Sequence, residues 1–140
     1  MGLDMYLSAE RYYWFNEEPP KAENGLPVKS LRVEAGYWRK VNHIHKWFVD
    51  NVQDGSDECE EFFVSREQLT ALRDVCLEVL KDHAKAKELL PTQSGFFFGG
   101  TEYDDYYFEA LERTVAVCNK CLDLELYPES GWDFYYRSSW

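Results

Sequence analysis

The sequence predicts an α+β fold in which a single domain, residues 1–140, packs about three helices on a small mixed or antiparallel sheet. Three observations lead to this fold class. A length of 140 residues suits one domain with its own core. A hydrophobic content of 45% with 29% charged residues is ordinary for a globular chain. Segments of two-residue periodicity also alternate along the chain with segments of helical periodicity.

Four short segments have the pattern of strands. Apolar side chains recur at every second position in residues 3–8 and again in residues 31–35. Residues 62–64 are a third candidate, and the aromatic tail, residues 132–140, is the fourth. Because a frayed tail of this composition would expose a large apolar surface, we expect it to dock as a sheet strand or across a homo-oligomer interface.

Three segments have helical periodicity. The first is predicted over residues 37–52, since Gly36 is expected to break the preceding strand. The second follows residues 65–68, where the sequence Ser-Arg-Glu-Gln predicts a capping box. The third is expected to begin after Thr101, which can act as its N-cap. A loop with three consecutive phenylalanines, residues 92–100, joins the second helix to the third.

The strongly acidic composition limits the partners that we expect. The net charge is −11, and a protein that binds DNA or RNA directly needs a basic surface. An acidic protein can still mimic nucleic acid and occupy a basic groove on another protein. No run approaches the length of apolar sequence that a membrane span needs, and the N-terminal sequence lacks the pattern of a secretion signal. We therefore expect a cytoplasmic protein that binds neither nucleic acid nor membranes.

The cysteines predict neither a disulfide framework nor a metal centre. They are Cys59, Cys76, Cys118 and Cys121, and only the last two are close together in the sequence. A zinc site would need two further ligands at a matching spacing, and Cys118 falls on the apolar stripe of a predicted helix. We expect reduced, structural thiols and no cofactor.

The most distinctive segment is residues 36–48, which is cationic and aromatic within an acidic chain. It contains three basic residues, two histidines and four large aromatic residues, but no acid. This combination suits an anionic, planar ligand, which in a cell usually means a nucleotide. At a helix N-terminus, free N–H groups attract a phosphate, an arginine can hold it through two hydrogen bonds, and an aromatic ring can stack on a base. The alternative is that Arg39 and Lys40 point to water and pair with acids. The predicted pocket consists of Tyr37, Trp38, Arg39, Lys40, Asn42 and His45.

The two histidines of this segment are not expected to share a metal. On a regular helix His43 lies nearly opposite His45, which falls on the apolar face, where a satisfied core histidine is the alternative to a ligand contact. Glu102, Asp104 and Asp105 could hold a metal or accept hydrogen bonds from a ribose, although helix capping also explains them. Further contributions to the pocket are expected from Tyr106, Tyr107, Arg137, Ser138 and Ser139.

Three segments of the chain stand out together. It opens on Gly-Leu-Asp-Met-Tyr-Leu, contains Gly-Tyr-Trp-Arg-Lys-x-Asn-x-Ile-His-x-Trp-Phe at its centre, and closes on Phe-Tyr-Tyr-x-Ser-Ser-Trp. Over essentially the whole length, the chain resembles a family of small, functionally uncharacterised proteins of phages and prophages. Some members carry a phosphoglycerate-kinase label, but this chain is far shorter than that enzyme and lacks its glycine-rich nucleotide site. The resemblance implies an accessory phage protein, similar in kind to those that sequester the nucleotide signals of host defence systems such as Thoeris and CBASS.

These observations lead to three hypotheses about function. The first is a phage-encoded anti-defence protein, a homo-oligomer that binds and sequesters a nucleotide-type immune signal without turnover. The second is an acidic protein-binding inhibitor of a host defence enzyme, either anti-CRISPR-like or a DNA mimic. The third is a nucleotide-signal phosphodiesterase with His43 or His45 as general base, although the sequence contains no complete catalytic constellation.

Overall fold

The computed structural model describes residues 2–95, 97–125 and 131–140, and it confirms the α+β class. The predicted loop residue Phe96 lies outside the described residues. One antiparallel sheet has the strand order β2-β1-β4-β3, and its strands are β1 (Asp4–Tyr12), β2 (Ser30–Arg39), β3 (Phe62–Val64) and β4 (Trp132–Ser139). The helices are α1 (Asn42–Asn51), α2 (Arg66–Lys81), the four-residue α3 (Ala86–Leu89) and α4 (Asp105–Glu125).

The aromatic tail forms an interior strand of the sheet. Strand β4 pairs with β1 from Asp4 opposite Ser139 to Arg11 opposite Trp132, and with the short β3 on its other side. The prediction that the tail docks as a sheet strand is therefore confirmed. The first and last strands of the chain thus lie side by side at the centre of the sheet.

One face of the sheet, the inner face, packs against the helices in a single core. Trp38 of β2 lies 6.1 Å from Phe48 of α1, measured between ring centroids, and Phe48 in turn stacks on Tyr136 of β4 at 3.8 Å. The predicted capping box at the start of α2 is confirmed, since Ser65 and Gln68 exchange hydrogen bonds of 3.1 and 2.8 Å. None of the helices in the described residues combines the length and apolar composition that a bilayer span requires.

The predicted helix over residues 37–52 was wrong in its first turn, because β2 continues through Arg39. Gly36 does not break the strand: it faces inward opposite Leu7, and a Cβ there would lie only 2.7 Å from Cγ1 of Val117 on α4. The glycine is thus required by close packing and not by a turn. The chain reverses instead at Lys40, whose φ of 55° lies in the left-handed region.

The predicted N-cap of the last helix was also misplaced. Helix α4 begins at Asp105, and Oδ1 of Asp104 accepts a hydrogen bond of 3.1 Å from the backbone N–H of Tyr107. Asp104 therefore caps the helix, while Thr101 and Glu102 precede it. The helix starts later than predicted because the segment around Thr101 is tied to Thr92, whose hydroxyl donates to the Thr101 carbonyl at 2.9 Å.

Candidate functional site

The outer face of the sheet presents aromatic, basic, acidic and hydroxyl side chains. Alternation along each strand sends apolar residues into the core and their neighbours to this face. The outward side chains on β1 and β4 are partly or fully exposed, and they include Tyr6, Ser8, Tyr135, Arg137 and Ser139. On β2 a bulge at Ala35 shifts the register by one residue relative to β1. Arg32 and Glu34 therefore point to the same outer face as Tyr37 and Arg39.

A cleft of about 510 Å³ lies on this face, and we call it the outer cleft. Its volume is in the range of roughly 300–1,000 Å³ that is common for small-molecule sites. Three strands and the residue preceding β3 contribute to it. Its lining residues are Tyr6, Ser8, Arg32, Val33, Glu34, Glu61, Arg137 and Ser139.

Arg137 is the distinctive group of the outer cleft. It is exposed and lies directly opposite Tyr6 on the neighbouring strand. Within the described part of the chain its guanidinium has neither an ion-pair nor a hydrogen-bond partner. A guanidinium offers five donors in one plane and is suited to bidentate contact with a phosphate or carboxylate. Arg137 is therefore available to an external anion.

Arg32, in contrast, is held by internal partners. Its guanidinium donates to Glu10 at 3.0 Å, forms an ion pair with Glu61, and lies 5.4 Å from the ring centroid of Tyr135. The side chain thus reaches from β2 across the sheet toward β3 and forms one wall of the outer cleft. Because its charge is matched by two carboxylates, Arg32 serves to shape the wall.

Arg39 is also paired, together with Tyr37. Both donate to Oδ1 of Asp4, the Tyr37 hydroxyl at 2.5 Å and Nη1 of Arg39 at 2.9 Å. The hydrogen bond from Tyr37 and then that from Arg39 lower the pKa of Asp4, and the same bond to Asp4 raises the pKa of Tyr37. The Tyr37 ring packs on Tyr6, with 5.4 Å between the ring centroids. These two predicted site residues therefore lie beside the outer cleft, with Arg39 already neutralised.

Two predicted ligand contacts, Trp38 and Ser138, lie in the core instead. They are 1% and 0% exposed, because they alternate with outward-facing neighbours on β2 and β4. The indole Nε1–H of Trp38 donates to Oγ1 of Thr114 at 2.9 Å. The Ser138 hydroxyl has no hydrogen-bond partner among the described residues. Both residues contribute to the inner face and not to the outer cleft.

His45 is a core histidine on the apolar face of α1, as predicted for its position. Its Nε2–H donates to Oδ1 of Asp57 at 2.9 Å, and its Nδ1 accepts from the Tyr136 hydroxyl at 2.7 Å. The carboxylate only accepts, so it fixes this tautomer. Burial lowers the pKa of His45 despite the nearby Asp57, and burial also raises the pKa of Tyr136. The histidine is neutral at neutral pH and fully enclosed.

The expectation that His43 faces away from the core was wrong. It is 3% exposed, its ring stacks on Tyr107 with 3.9 Å between centroids, and its Nε2–H donates to the Tyr107 carbonyl at 3.2 Å. The start of α4 covers this side of α1, which helix periodicity alone does not show. Burial lowers the pKa of His43 to about 4.

The remaining predicted residues surround a smaller cavity of about 160 Å³ between α1 and the start of α4. Both ends of the Asn42 side-chain amide are hydrogen-bonded there. Its Nδ2 donates to the carbonyls of Phe98 and Gly100 at 2.9 and 2.8 Å, and its Oδ1 accepts from the N–H of Gln93 at 2.9 Å. Two tyrosine hydroxyls are likewise committed to backbone carbonyls at 2.5 and 2.6 Å. The predicted residues that line this cavity are Lys40, Asn42, Tyr106 and Tyr107.

The structure thus divides the predicted pocket into three groups. Tyr37, Arg39, Arg137 and Ser139 share the outer face, a second group surrounds the small cavity, and a third lies in the core. Sequence reasoning missed Tyr6, Ser8, Arg32 and Tyr135. Their signal was present in the two-residue alternation, which places Tyr6 and Ser8 opposite the apolar face of β1, but the pairing of β1 with β4 has no local signature.

The cysteines are buried or partly buried and none forms a disulfide. Burial raises the pKa of Cys118 and of Cys121 to about 12, so these thiols are protonated at neutral pH. Within residues 2–95, 97–125 and 131–140, no group of three or more His, Cys, Asp or Glu side chains is arranged to hold a metal ion.

Comparison with known proteins found no matching family model, no similar curated protein and no similar solved structure.

Proposed function

We propose that the outer cleft binds a small, nucleotide-like anion and holds it without turnover. The observation that carries this proposal is Arg137, an exposed guanidinium that is left without an internal partner in the described residues although the chain has 26 acids and 15 basic residues. The other arginines of this face are neutralised by neighbouring carboxylates. A bound phosphate would supply the missing counter-charge.

The neighbours of Arg137 suit the other parts of a nucleotide. Tyr6 lies directly beside it and offers a ring on which a base can stack, a contact worth about 1–3 kcal/mol per base. The hydroxyls of Ser8 and Ser139 line the same space and can donate to phosphate oxygens. Glu34 can accept hydrogen bonds from ribose hydroxyls. The cleft therefore combines anion, base and sugar contacts.

The charge of the outer cleft restricts the ligand further. Two arginines and two glutamates line it, so it is close to neutral. A triphosphate would be repelled by the carboxylates of Glu34 and Glu61. A phosphodiester with free ribose hydroxyls would instead accept hydrogen bonds from Arg137 through its phosphate and donate to the carboxylates through its hydroxyls. Cyclic nucleotides and ADP-ribose-type nucleotides fulfil these requirements better than ATP does.

The resemblance to small phage and prophage proteins gives this chemistry a biological setting. In this proposal the protein acts in the cytoplasm of the host cell, assembles as a homo-oligomer, and removes a nucleotide immune signal by sequestering it. The acidic surface outside the cleft keeps nucleic acid away, which leaves the cleft open to small ligands.

Native mass spectrometry, before and after incubation with a panel of cyclic and ADP-ribose-type nucleotides, tests the proposal. We expect an oligomer that carries an intact nucleotide mass, with ATP as a poorly retained control. A bare protein mass throughout the panel would contradict sequestration. A retained or released cleavage product would instead indicate the phosphodiesterase hypothesis.

A second candidate function is inhibition of a host defence enzyme by direct protein contact. The loop between β1 and β2 exposes Trp14 by 64%, Phe15 by 97% and Leu26 by 62%. It is ordered by an ion pair of 2.7 Å between Arg11 and Glu17 and by an isolated bridge within the loop. Exposed aromatic side chains on an acidic protein are suited to a partner with a basic, apolar surface.

This candidate predicts a complex with a host nuclease that salt weakens and that requires the loop aromatics. The substitutions Trp14→Ala and Phe15→Ala should abolish co-elution with the nuclease, and charge reversal at Glu102 and Asp105 should weaken it. Leu77→Ala, which removes another exposed apolar side chain, from α2, is the matched control. Unchanged co-elution in the loop variants would rule this function out.

A further inference from the structure

A second pocket lies on another part of the molecule, where the loop before α4 meets Asp57 and Trp140. Its volume is about 330 Å³, and we call it the aromatic pocket. Phe97, Phe98 and Trp140 contribute to its walls, and the rings of Phe98 and Trp140 meet edge to face with 6.1 Å between their centroids. Trp140 is 48% exposed, so an external molecule can reach its ring.

Asp57 supplies the charge of the aromatic pocket. Its Oδ1 atom accepts from Nε2 of His45 at 2.9 Å and from the indole Nε1–H of Trp140 at 3.0 Å. Both hydrogen bonds end on one oxygen, and Oδ2 has no hydrogen-bond partner in the described part of the chain. The side chain is 22% exposed. One face of a rigidly held carboxylate is therefore available to a donor.

Gln93 supplies a second acceptor. Its backbone N–H donates to Oδ1 of Asn42 at 2.9 Å, and Gln93 is among the residues that line the aromatic pocket. Its Oε1 atom is buried without a hydrogen-bond partner among the described residues. A buried carbonyl oxygen in this state is unfavourable, and a rotation of the Gln93 side chain that brings it to a ligand N–H in the pocket would remove the penalty.

The charge of Asp57 is not compensated within the pocket. His45 is its nearest titratable partner, and burial keeps that histidine neutral at neutral pH. None of the described residues lining the pocket is lysine or arginine. The pocket therefore combines one carboxylate, one unsatisfied acceptor and three aromatic rings, an environment that favours a cation with several donors.

We infer that the aromatic pocket binds a guanidinium group, which donates to Asp57 and Gln93 while its plane packs on the Trp140 ring. Guanidinium offers several coplanar donors and stacks on aromatic rings, whereas an ammonium ion is compact and more strongly hydrated. The inference does not depend on the outer cleft. The group can belong to a free metabolite or to an arginine side chain of a peptide.

NMR titration of the full-length protein tests this inference through the indole N–H signal of Trp140. The probes are agmatine, its analogue in which a neutral urea replaces the guanidinium while the terminal ammonium is kept, and a blocked arginine dipeptide. We expect saturable shifts with agmatine and an apparent affinity at least about tenfold weaker for the urea analogue, as expected for loss of charge-assisted hydrogen bonds. Shifts with the dipeptide alone would assign the guanidinium to a peptide. No saturable shift with either guanidinium probe, or equal shifts with the urea analogue, would overturn the inference.

Two variants separate binding from folding. Asp57→Asn keeps an acceptor for His45 and Trp140 but removes the charge, and we expect it to weaken agmatine binding at least about tenfold. Gln93→Leu removes an oxygen that has no partner in the described structure, so it should weaken binding without lowering the melting temperature. Glu58→Gln, an exposed neighbour of Asp57, is the matched charge control and should bind normally. Unchanged agmatine affinity in both pocket variants would contradict the site.

Discussion

Arg32, Arg39 and Arg137 all lie on the outer face of the sheet, but their neighbours give them different roles. Arg32 is matched by Glu10 and Glu61, and Arg39 is matched by Asp4. Arg137 is the one of the three that remains available to an external anion. In the sequence these three residues are equivalent arginines. Which of them has a carboxylate partner depends on the strand register, which the local sequence does not predict.

Substitutions at Trp38 test whether this side chain belongs to the core. Trp38→Ala should lower the free energy of unfolding by about 3–5 kcal/mol, because a buried indole is lost. Trp38→Phe should cause a smaller loss and allow folding. Trp14→Phe, at a side chain that is 64% exposed, should stay within about 0.5 kcal/mol of the wild type. Urea denaturation measures all three free energies of unfolding. If Trp38→Phe left the free energy of unfolding unchanged but weakened nucleotide binding, Trp38 would belong to the ligand site instead of the core.

The buried histidines predict how stability depends on pH. The pKa of His43 is lowered from 6.5 to about 4, and that of His45 is also lowered. The unfolded state therefore binds more protons below about pH 6.5, so stability is present above that pH and is lost as the pH falls toward the folded pKa. Each histidine adds a slope of at most about 1.4 kcal/mol per pH unit. Denaturation between about pH 7 and pH 5 should show a smaller slope for His43→Gln, and an unchanged slope would contradict the burial argument.

Helices and strands were predicted correctly where a local sequence pattern is compatible with only one structure. The capping box at Ser65 and the alternation of β1 and β4 predicted what the structure shows. Two structural roles were possible for Gly36, because a glycine can end a strand or allow another element to approach closely. The choice depends on Val117, which is 81 positions away in the chain and cannot be inferred from the local sequence.

Gly36→Ala tests the close approach of β2 to α4. The new Cβ would lie 2.7 Å from Cγ1 of Val117, so we expect destabilisation of about 1–3 kcal/mol from overpacking. Val117→Ala in the same chain should recover part of that loss, because it removes the clashing methyl groups. A double-mutant cycle by chemical denaturation measures the coupling. Strictly additive effects would show that the two residues do not meet.

The fold forms the outer cleft from segments that are distant in the sequence. Strands β1 and β4 lie side by side, and Arg32 extends from β2 over them, so the outer cleft contains residues from both ends of the chain. The α+β class followed from periodicity, but the strand order did not. The nucleotide pocket was predicted around a helix N-terminus at residues 37–40, but β2 continues through Arg39. Of the predicted pocket residues, those on the outer face of the sheet are Tyr37, Arg39, Arg137 and Ser139.

Calorimetric titration of cyclic and ADP-ribose-type nucleotides against wild type, Arg137→Gln and Arg113→Gln tests whether the outer cleft binds a nucleotide through Arg137. Both variants remove one exposed arginine charge, but Arg113 lies on α4 and does not line the outer cleft. We expect at least one nucleotide to bind the wild type and Arg113→Gln equally, and to bind Arg137→Gln about 10- to 100-fold more weakly, the loss expected for a charge-assisted hydrogen bond. Equal affinities in all three proteins, or no binding to the wild type by any nucleotide, would show that Arg137 does not form a nucleotide site.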